Sequence, residues 1–177
     1  LRTVSVKLQK QDKLKFLLMS RPDRKSANNQ IQSIHMESIY TSLGITPQTE
    51  KTLYTYKNII KHIDKYSFYP ARDKLQLIRF IGFSLISGVN HPTRYALSML
   101  YNKGATFLAP FSNLFCTDIY DIQSQGLFPR ISKMSEFETL SPETAKAMCD
   151  DLELPYKLFK HEILTMAEKM PEELNAI

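Results

Sequence analysis

Histidine, cysteine and carboxylate side chains are the groups in this sequence most able to do chemistry, and their spacing favours neither a metal site nor a catalytic site. Tetrahedral zinc takes four nitrogen or sulfur ligands, usually in close sequence pairs. The four His and two Cys show no such pairing: His35, His62, His91, His161, Cys116 and Cys149. Asp150 and Asp151 are more typical of a charged helix end than of a metal site. Their negative charges do not stabilise a thiolate at Cys149, which argues against a reactive nucleophile there. A Gly-rich phosphate loop and a nucleophile elbow are both missing from the sequence. We therefore predict no catalytic residue, no metal, no cofactor and no enzymatic activity.

Lysine and arginine clusters are the stronger signal. They occur in a turn around Pro22, along a segment from Lys51 to Lys65, and just after Pro70, and tyrosines interleave with them. Such a surface suits the phosphates of a nucleic acid or an anionic membrane, and the residue pattern does not choose between these ligands. The predicted binding residues are Arg21, Arg24, Lys25, Lys51, Lys57, Lys61, Lys65, Arg72, Lys74 and Arg79.

One amphipathic helix should present the middle cluster. Thr46 is a suitable N-cap, and Pro47 suits the first helical position. Apolar residues recur at helical spacing on one side, whereas Lys57, Lys61 and Lys65 fall four apart on the opposite side. This pattern predicts a continuous helix from Thr46 to Lys65.

Most of the remaining segments also have helical spacing or helix-boundary signals. The predicted helices are 26–43, 71–87, 95–101, 142–152 and 155–170, and a further apolar segment covers 106–122. Residues 1–19 have no clear period and fit a helix end or an extended arm. Strand-like alternation is scarce, so the predicted fold is all-α, a multi-helix bundle of one or two packed helical subdomains.

The distribution of charge divides the 177 residues into two blocks. Residues 1–135 carry 19 Lys and Arg against 8 Asp and Glu, whereas residues 136–177 carry 4 against 10. We predict a basic helical body over 1–125, a linker over 126–134 and an acidic C-terminal helical segment over 135–177. A basic body suits an anionic partner, and the opposite charges of the two blocks suit self-association.

Three segments resemble the matrix protein of orthomyxoviruses, the influenza-type internal shell protein. They are Phe16–Arg24, a hydrophobic stretch ending in a Pro-containing turn; Ala96–Gly104, an apolar segment closed by Tyr-Asn-Lys-Gly; and Leu140–Met148, which contains Thr-Ala-Lys-Ala-Met. The Lys57, Lys61 and Lys65 helix takes the place of the family's basic helix. Only Cys116 has a counterpart in the family's Cys-Cys-His-His group, so zinc binding is not carried over.

This resemblance implies a divergent viral matrix protein that polymerises into a shell. The implied partners are an anionic lipid membrane, viral ribonucleoprotein or RNA, and further copies of the chain. The implied location is the virion beneath the envelope, with the cytoplasmic membrane face and the nucleus of the host cell as further sites. The absence of an apolar run of about 18 residues suits a peripheral protein of this kind.

Three other classes stay open. A nucleocapsid or other RNA-binding protein would also be helical, basic and poor in motifs, with residues 1–15 as a flexible arm. A helical DNA-binding module, like the N-terminal domain of tyrosine recombinases, is suggested by Thr52–Tyr56 and Leu97–Leu100. An enzyme with an unrecognised site would show a buried cluster of perturbed carboxylates or histidines.

Overall fold

The computed structural model describes residues 1–89, 96–114 and 141–175, and strands account for much of the first two ranges. The prediction of an all-α fold is therefore wrong. The seven strands of the described residues are β1 (Val6–Gln11), β2 (Leu14–Met19), β3 (Arg24–Ala27), β4 (Gln30–Ser33), β5 (His35–Ser38), β6 (Ser98–Asn102) and β7 (Ala105–Leu108). They form the antiparallel pairs β1–β2 and β3–β4 and a three-stranded sheet in the order β5–β6–β7.

Tight turns with left-handed backbone conformations build the hairpins. Asn28 and Asn29 connect β3 to β4 with φ angles of 51° and 58°, and Lys103 and Gly104 connect β6 to β7 with φ angles of 51° and 79°. Two-residue turns with positive φ match the twist of paired strands, and Asn and Gly adopt that conformation most readily. Strands lie where two helices were predicted. Strands β3, β4 and β5 occupy much of the predicted helix 26–43, and β6 occupies most of the predicted helix 95–101.

The β1–β2 hairpin stands apart from the hydrophobic core. All its residues are exposed, and its register sets Val6 opposite Met19 and Leu8 opposite Leu17. Residues directly opposite each other share one face of a sheet, so this face carries four apolar side chains. Both faces of the hairpin are exposed, so its apolar and charged residues do not alternate strictly. For this reason the sequence of residues 1–19 has no clear hydrophobic period.

The predicted helix from Thr46 to Lys65 is two helices. They are α2 (Glu50–Leu53) and α3 (Tyr56–Tyr66), which follow the single-turn helix α1 (Ile39–Ser42). Thr55 is the N-cap of α3, with an extended backbone and a side chain that accepts from the N–H of Asn58. The side chain of Asn58 also donates to the carbonyl of Leu53 at 2.9 Å. These bonds satisfy polar groups at the junction, and the chain turns there before the buried face of α3 begins.

Three longer helices begin near their predicted positions because each has a proline at or just before its first residue. They are α4 (Pro70–Ser87), α5 (Pro142–Asp151) and α6 (Tyr156–Asn175). Gly88 ends α4 with a φ of 66°, and Ser141 caps α5 in a reciprocal capping box with Thr144. The end of α6 differs from the prediction, because Pro171 lies inside that helix instead of stopping it.

A single cluster of buried side chains joins helices and sheet. It contains residues of α3, α4, β6, β7, α5 and α6, and among its largest fully buried members are Tyr54, Phe80, Phe111 and Phe159. Both predicted blocks contribute to this core. The predicted linker 126–134 lies outside the described residues, so the block boundaries stay a prediction.

Asp73 connects α4 to the three-stranded sheet. Its buried carboxylate accepts hydrogen bonds from the backbone N–H of Leu108 and the hydroxyl of Ser67, both at 2.7 Å, and from the guanidinium of Arg72. A buried carboxylate is stable only when its oxygens are paired in this way. Asp73 thus fixes the start of α4 against β7, which helps to position the cleft described below.

Candidate ligand-binding cleft

A cavity of about 410 Å³ opens between the base of the β1–β2 hairpin and the three-stranded sheet. One wall comes from Met19 of β2 and the turn that follows it, and the other from β5 and α1. Ser98 of β6 and residues after β7 complete the lining, which is Val4, Met19, Ser20, Arg21, Pro22, Met36, Glu37, Ser38, Thr41, Ser98, Pro110, Ser112 and Asn113. A cavity of this size, more apolar than polar and with a few convergent polar groups, is typical of small-molecule sites.

Hydrogen bonds hold the hairpin wall in place. The N–H of Ser5 donates to the hydroxyl of Ser20, and the N–H of Ser20 donates to the carbonyl of Ser5, both at 2.9 Å. The N–H of Val4 donates to the carbonyl of Phe111, also at 2.9 Å. The chain segments before and after the hairpin are therefore tied to each other and to the segment after β7.

A buried aspartate orders the turn whose residues Arg21 and Pro22 line the cleft. Asp23 is 6% exposed and accepts a bidentate pair from Arg21 at 2.8 and 2.7 Å and a further bond from Arg24 at 2.6 Å. The hydrogen bonds from Arg21 lower the pKa of Asp23, whereas partial burial opposes that shift. Arg21 is consequently held by Asp23 through two of its nitrogens, and the third, Nη1, is not used in this pair.

Glu37 is the carboxylate of the cleft lining. Its side chain accepts a short hydrogen bond from the hydroxyl of Tyr101 on the neighbouring strand β6. This bond is the main reason that the pKa of Glu37 is lowered, while burial opposes it. Burial and the same bond raise the pKa of Tyr101. The ring of His35 packs on Tyr101 with centroids 4.9 Å apart, so the carboxylate is ordered by its neighbours.

Hydroxyl and amide groups provide the remaining polar surface. The hydroxyls of Ser38 and Thr41 lie 2.8 Å apart, and Ser38 also accepts from the N–H of Thr41, which caps α1. Asn113 has a left-handed backbone with φ of 55°, and its amide donates to the hydroxyl of Ser112 at 3.4 Å. Neutral donors and acceptors of this kind can orient a ligand's hydroxyl or ring nitrogen groups.

A second, shallower hollow of about 340 Å³ lies along α3. Lys61, His62, Lys65 and Tyr66 line part of it. His62 is mostly buried, its ring is 4.7 Å from that of Tyr66, and its Nε2 has no hydrogen-bond partner among the described residues. Burial lowers the pKa of His62. This hollow is smaller and more open than the cleft.

Intramolecular ion pairs occupy six of the ten predicted binding residues. An exposed pair joins Lys57 to Asp151 at 3.7 Å, and half-buried Lys74 pairs with Asp64 at 2.7 Å. Arg79 makes a bidentate pair with Glu162 of α6 at 2.8 and 3.1 Å. The other pairs join Arg21 and Arg24 to Asp23 and Arg72 to Asp73.

The other four predicted residues are exposed. Lys25 lies on β3 and Lys51 on α2, whereas Lys61 and Lys65 line the hollow on α3. The ten residues are spread over several elements, and Arg21 alone lines the larger cleft. Their role in binding an anionic ligand stays a prediction.

Sequence reasoning missed the cleft because its residues come from widely separated segments and share no motif. Glu37, Ser38, Thr41 and Asn113 were not among the predicted site residues. One local signal was available in the sequence. Asn113 lies three residues after Pro110, and Pro and Asn so close together are typical of a turn.

Within the described residues there is no group of three or more His, Cys, Asp or Glu side chains placed to hold a metal ion. Cys149 is a buried free thiol whose pKa is raised to about 11, mainly by burial, and Cys116 lies outside the described residues. Over the same ranges, none of the helices has the length and apolar character to span a bilayer.

Comparison with known proteins gives a consistent assignment. The sequence model of the family described as "HipA-like C-terminal domain" matches residues 1–174. A protein of Sinorhizobium fredii named "Putative kinase Y4mE" is 24% identical over 161 residues, which cover 89% of this chain and 38% of that protein. The fold superposes with a TM-score of 0.84 on a structure of the Shewanella oneidensis MR-1 toxin–antitoxin system of HipA, HipB and operator DNA. That match has 17% identity and covers 97% of this chain and 44% of the other.

These comparisons overturn the viral interpretation. The resemblance to an orthomyxovirus matrix protein is wrong, because the HipA-like family covers nearly the whole chain and the mixed fold matches a HipA structure. The predicted shell-forming function and the location in a virion or at the membrane or nucleus of an infected host cell followed from that resemblance and are wrong. The predicted membrane, ribonucleoprotein, RNA and self-association partners came from the resemblance and from the charge pattern, and the same comparisons contradict them. The chain spans less than half the length of the relatives it matches.

The expectation that the protein is not an enzyme also loses its basis. A relative that aligns with 89% of this chain at 24% identity bears the name of a putative kinase. The sequence reasoning relied on known short motifs, and a site assembled from distant segments carries none of them.

Proposed function

The chain belongs to the family of HipA-like C-terminal domains, and on this basis we propose that it binds an adenine nucleotide in the cleft between the β1–β2 hairpin and the three-stranded sheet. The kinase name of one relative supports a nucleotide as the ligand, because kinases take their phosphoryl group from a nucleoside triphosphate. The proposal concerns nucleotide binding by this chain, and phosphoryl transfer is the reaction class that the kinase name gives for the relative.

The observation that carries the proposal is the cavity of about 410 Å³ with an apolar wall and convergent hydroxyls. Met19 and Met36 offer a flexible apolar surface for a flat base. The hydroxyls of Ser38 and Thr41 are fixed 2.8 Å apart by the cap of α1 and suit the polar edges of a base or sugar. Preorganised groups of this kind lower the entropy cost of binding.

The location of the site can be tested by narrowing the cleft. Thr41 is exposed on the first helix and lines the cavity, so Thr41→Tyr adds a ring where the ligand should lie. Thr52→Tyr is the matched control, because Thr52 is also exposed on a short helix but does not line the cleft. Isothermal titration calorimetry with ADP should show binding by the unaltered protein and by Thr52→Tyr, and binding weakened about tenfold or more by Thr41→Tyr.

Thermal melting separates a blocked site from a damaged fold. The two variants should melt close to the unaltered protein, because each substitution is at an exposed position. Equal ADP affinity in Thr41→Tyr and Thr52→Tyr, or no heat of binding in the unaltered protein, would contradict the proposed function.

A further inference from the structure

The polar groups of the cleft indicate how the proposed nucleotide would be held, so this inference rests on the proposed function. Kinase-type phosphoryl transfer generally uses magnesium between the phosphates and the protein, with a carboxylate on the metal and a lysine on the phosphates. Magnesium requires oxygen ligands in near-octahedral geometry and is usually bound through one or two carboxylates.

A single carboxylate, that of Glu37, lines the cleft within the described ranges. It is already engaged by the hydroxyl of Tyr101, which orders it toward the neighbouring strand. The one cation of the same lining is Arg21, and Asp23 occupies its Nε and Nη2 atoms. No lysine appears among these lining residues, although β1, β2 and the turn between them carry four, all exposed.

Asn113 supplies a neutral amide to the lining of the cleft. A carboxylate at this position would give the cleft a second acidic group beside Glu37. The left-handed backbone at Asn113 does not exclude one, because Asp also tolerates that conformation. Among the described lining residues, the residue type at this position, and not the local geometry, therefore limits the negative charge available to a divalent cation.

We propose that this cleft binds its nucleotide without a divalent cation. Apolar and hydroxyl groups hold the base and sugar, and the free Nη1 of Arg21 is the cationic donor available to a phosphate oxygen. Because the side chain of Asn113 is a neutral amide, nucleotide binding in the cleft does not depend on magnesium.

Calorimetry with ADP in the presence of excess magnesium and again in the presence of EDTA tests the proposal. The dissociation constants should agree to within about twofold, because no metal bridges protein and phosphates. A loss of about tenfold or more in EDTA would overturn it. Absence of binding in both conditions would instead refute the proposed nucleotide function, so the two failures are distinguishable.

Asn113→Asp tests the physical reason. The second carboxylate should make ADP binding depend on magnesium, with affinity about tenfold higher in magnesium than in EDTA. Asn28→Asp is the control, since Asn28 is also exposed and left-handed, with φ of 51°, but lies in the β3–β4 turn and does not line the cleft. Magnesium-independent binding by Asn113→Asp would contradict the assignment of Asn113 as the limiting position.

Discussion

The hydrogen bond between Glu37 and Tyr101 links the cleft to the sheet at the scale of single residues. Glu37 lies on β5, Tyr101 lies directly opposite His35 on β6, and the bond crosses between these strands. Because the hydroxyl favours the charged carboxylate, the pKa of Glu37 is lowered in the folded protein. A group with a lowered folded-state pKa stabilises the protein above its unfolded pKa, and this stabilisation is lost as the pH falls through the folded value.

Tyr101→Phe should therefore lower the free energy of unfolding by about 1–3 kcal/mol at pH 7. The difference from the unaltered protein should shrink below about pH 4, where Glu37 is protonated in the unfolded chain and then in the folded one. Denaturant unfolding over a pH series measures this difference. Tyr69→Phe is the control, because Tyr69 is exposed and its side chain contacts Phe68 and Arg72 through the ring, which phenylalanine keeps. A pH-independent loss in Tyr101→Phe would contradict the role given to Glu37.

The basic residues show what could be learned from sequence at this scale. Arg21 lies two positions from Asp23, and Arg72 is adjacent to Asp73, so local pairing was visible in the chain. The pair between Arg79 and Glu162 spans 83 positions and depends on the packing of α4 on α6. Counting cations in the sequence overestimated the free positive charge because such partners were not considered.

At the scale of secondary-structure elements, the main feature is the close packing of α4 on α6. Gly82 lies in the middle of α4, where an added Cβ would be 2.9 Å from Cγ1 of Ile163 and 2.8 Å from Cε of Met166. The methionine methyl group can move easily, whereas Cγ1 of Ile163 is bonded directly to Cβ, and a β-branched side chain in a helix strongly prefers one χ1 rotamer, so its displacement costs more. Gly82 thus permits an approach that any larger residue would prevent.

Gly82→Ala should destabilise the protein by about 1–3 kcal/mol through overpacking, despite a gain of up to about 1 kcal/mol in helix propensity. Thermal and denaturant unfolding measure the change. In an Ile163→Ala background the same substitution should be neutral or stabilising, because the obstructing atom is gone. Destabilisation of equal size in both backgrounds would show that the contact with Ile163 is not the cause.

Helices were predicted better than strands for a physical reason. A Ser-Pro pair marks a helix start through a side-chain capping bond and a fixed φ, and this signal placed the start of α5. Strand β6 begins with three buried residues, so its apolar run resembles a buried helix. The polar hairpin β3–β4 has no apolar face, and its Asn28-Asn29 turn was the signal that sequence reasoning overlooked.

At the scale of the whole molecule, the cleft results from topology. It brings together the end of a hairpin near the start of the chain, one edge of a three-stranded sheet and the segment after β7. The sequence could predict neither this meeting of segments nor the family, because short apolar and Pro-containing segments occur in unrelated folds. The match over residues 1–174 and the shared fold supply what local patterns lack.

Chemical-shift mapping with ADP tests the central claim most directly, because it compares the cleft with the lysine face of α3 in one experiment. Titrating ¹⁵N-labelled protein with ADP should shift the amide signals of Ser38, Thr41 and Asn113, which line the cleft. The amides of Lys57, Lys61 and Lys65 should change little. Saturable shifts confined to those lysines would show that the earlier predicted basic face binds the nucleotide, and would contradict the assignment of the cleft.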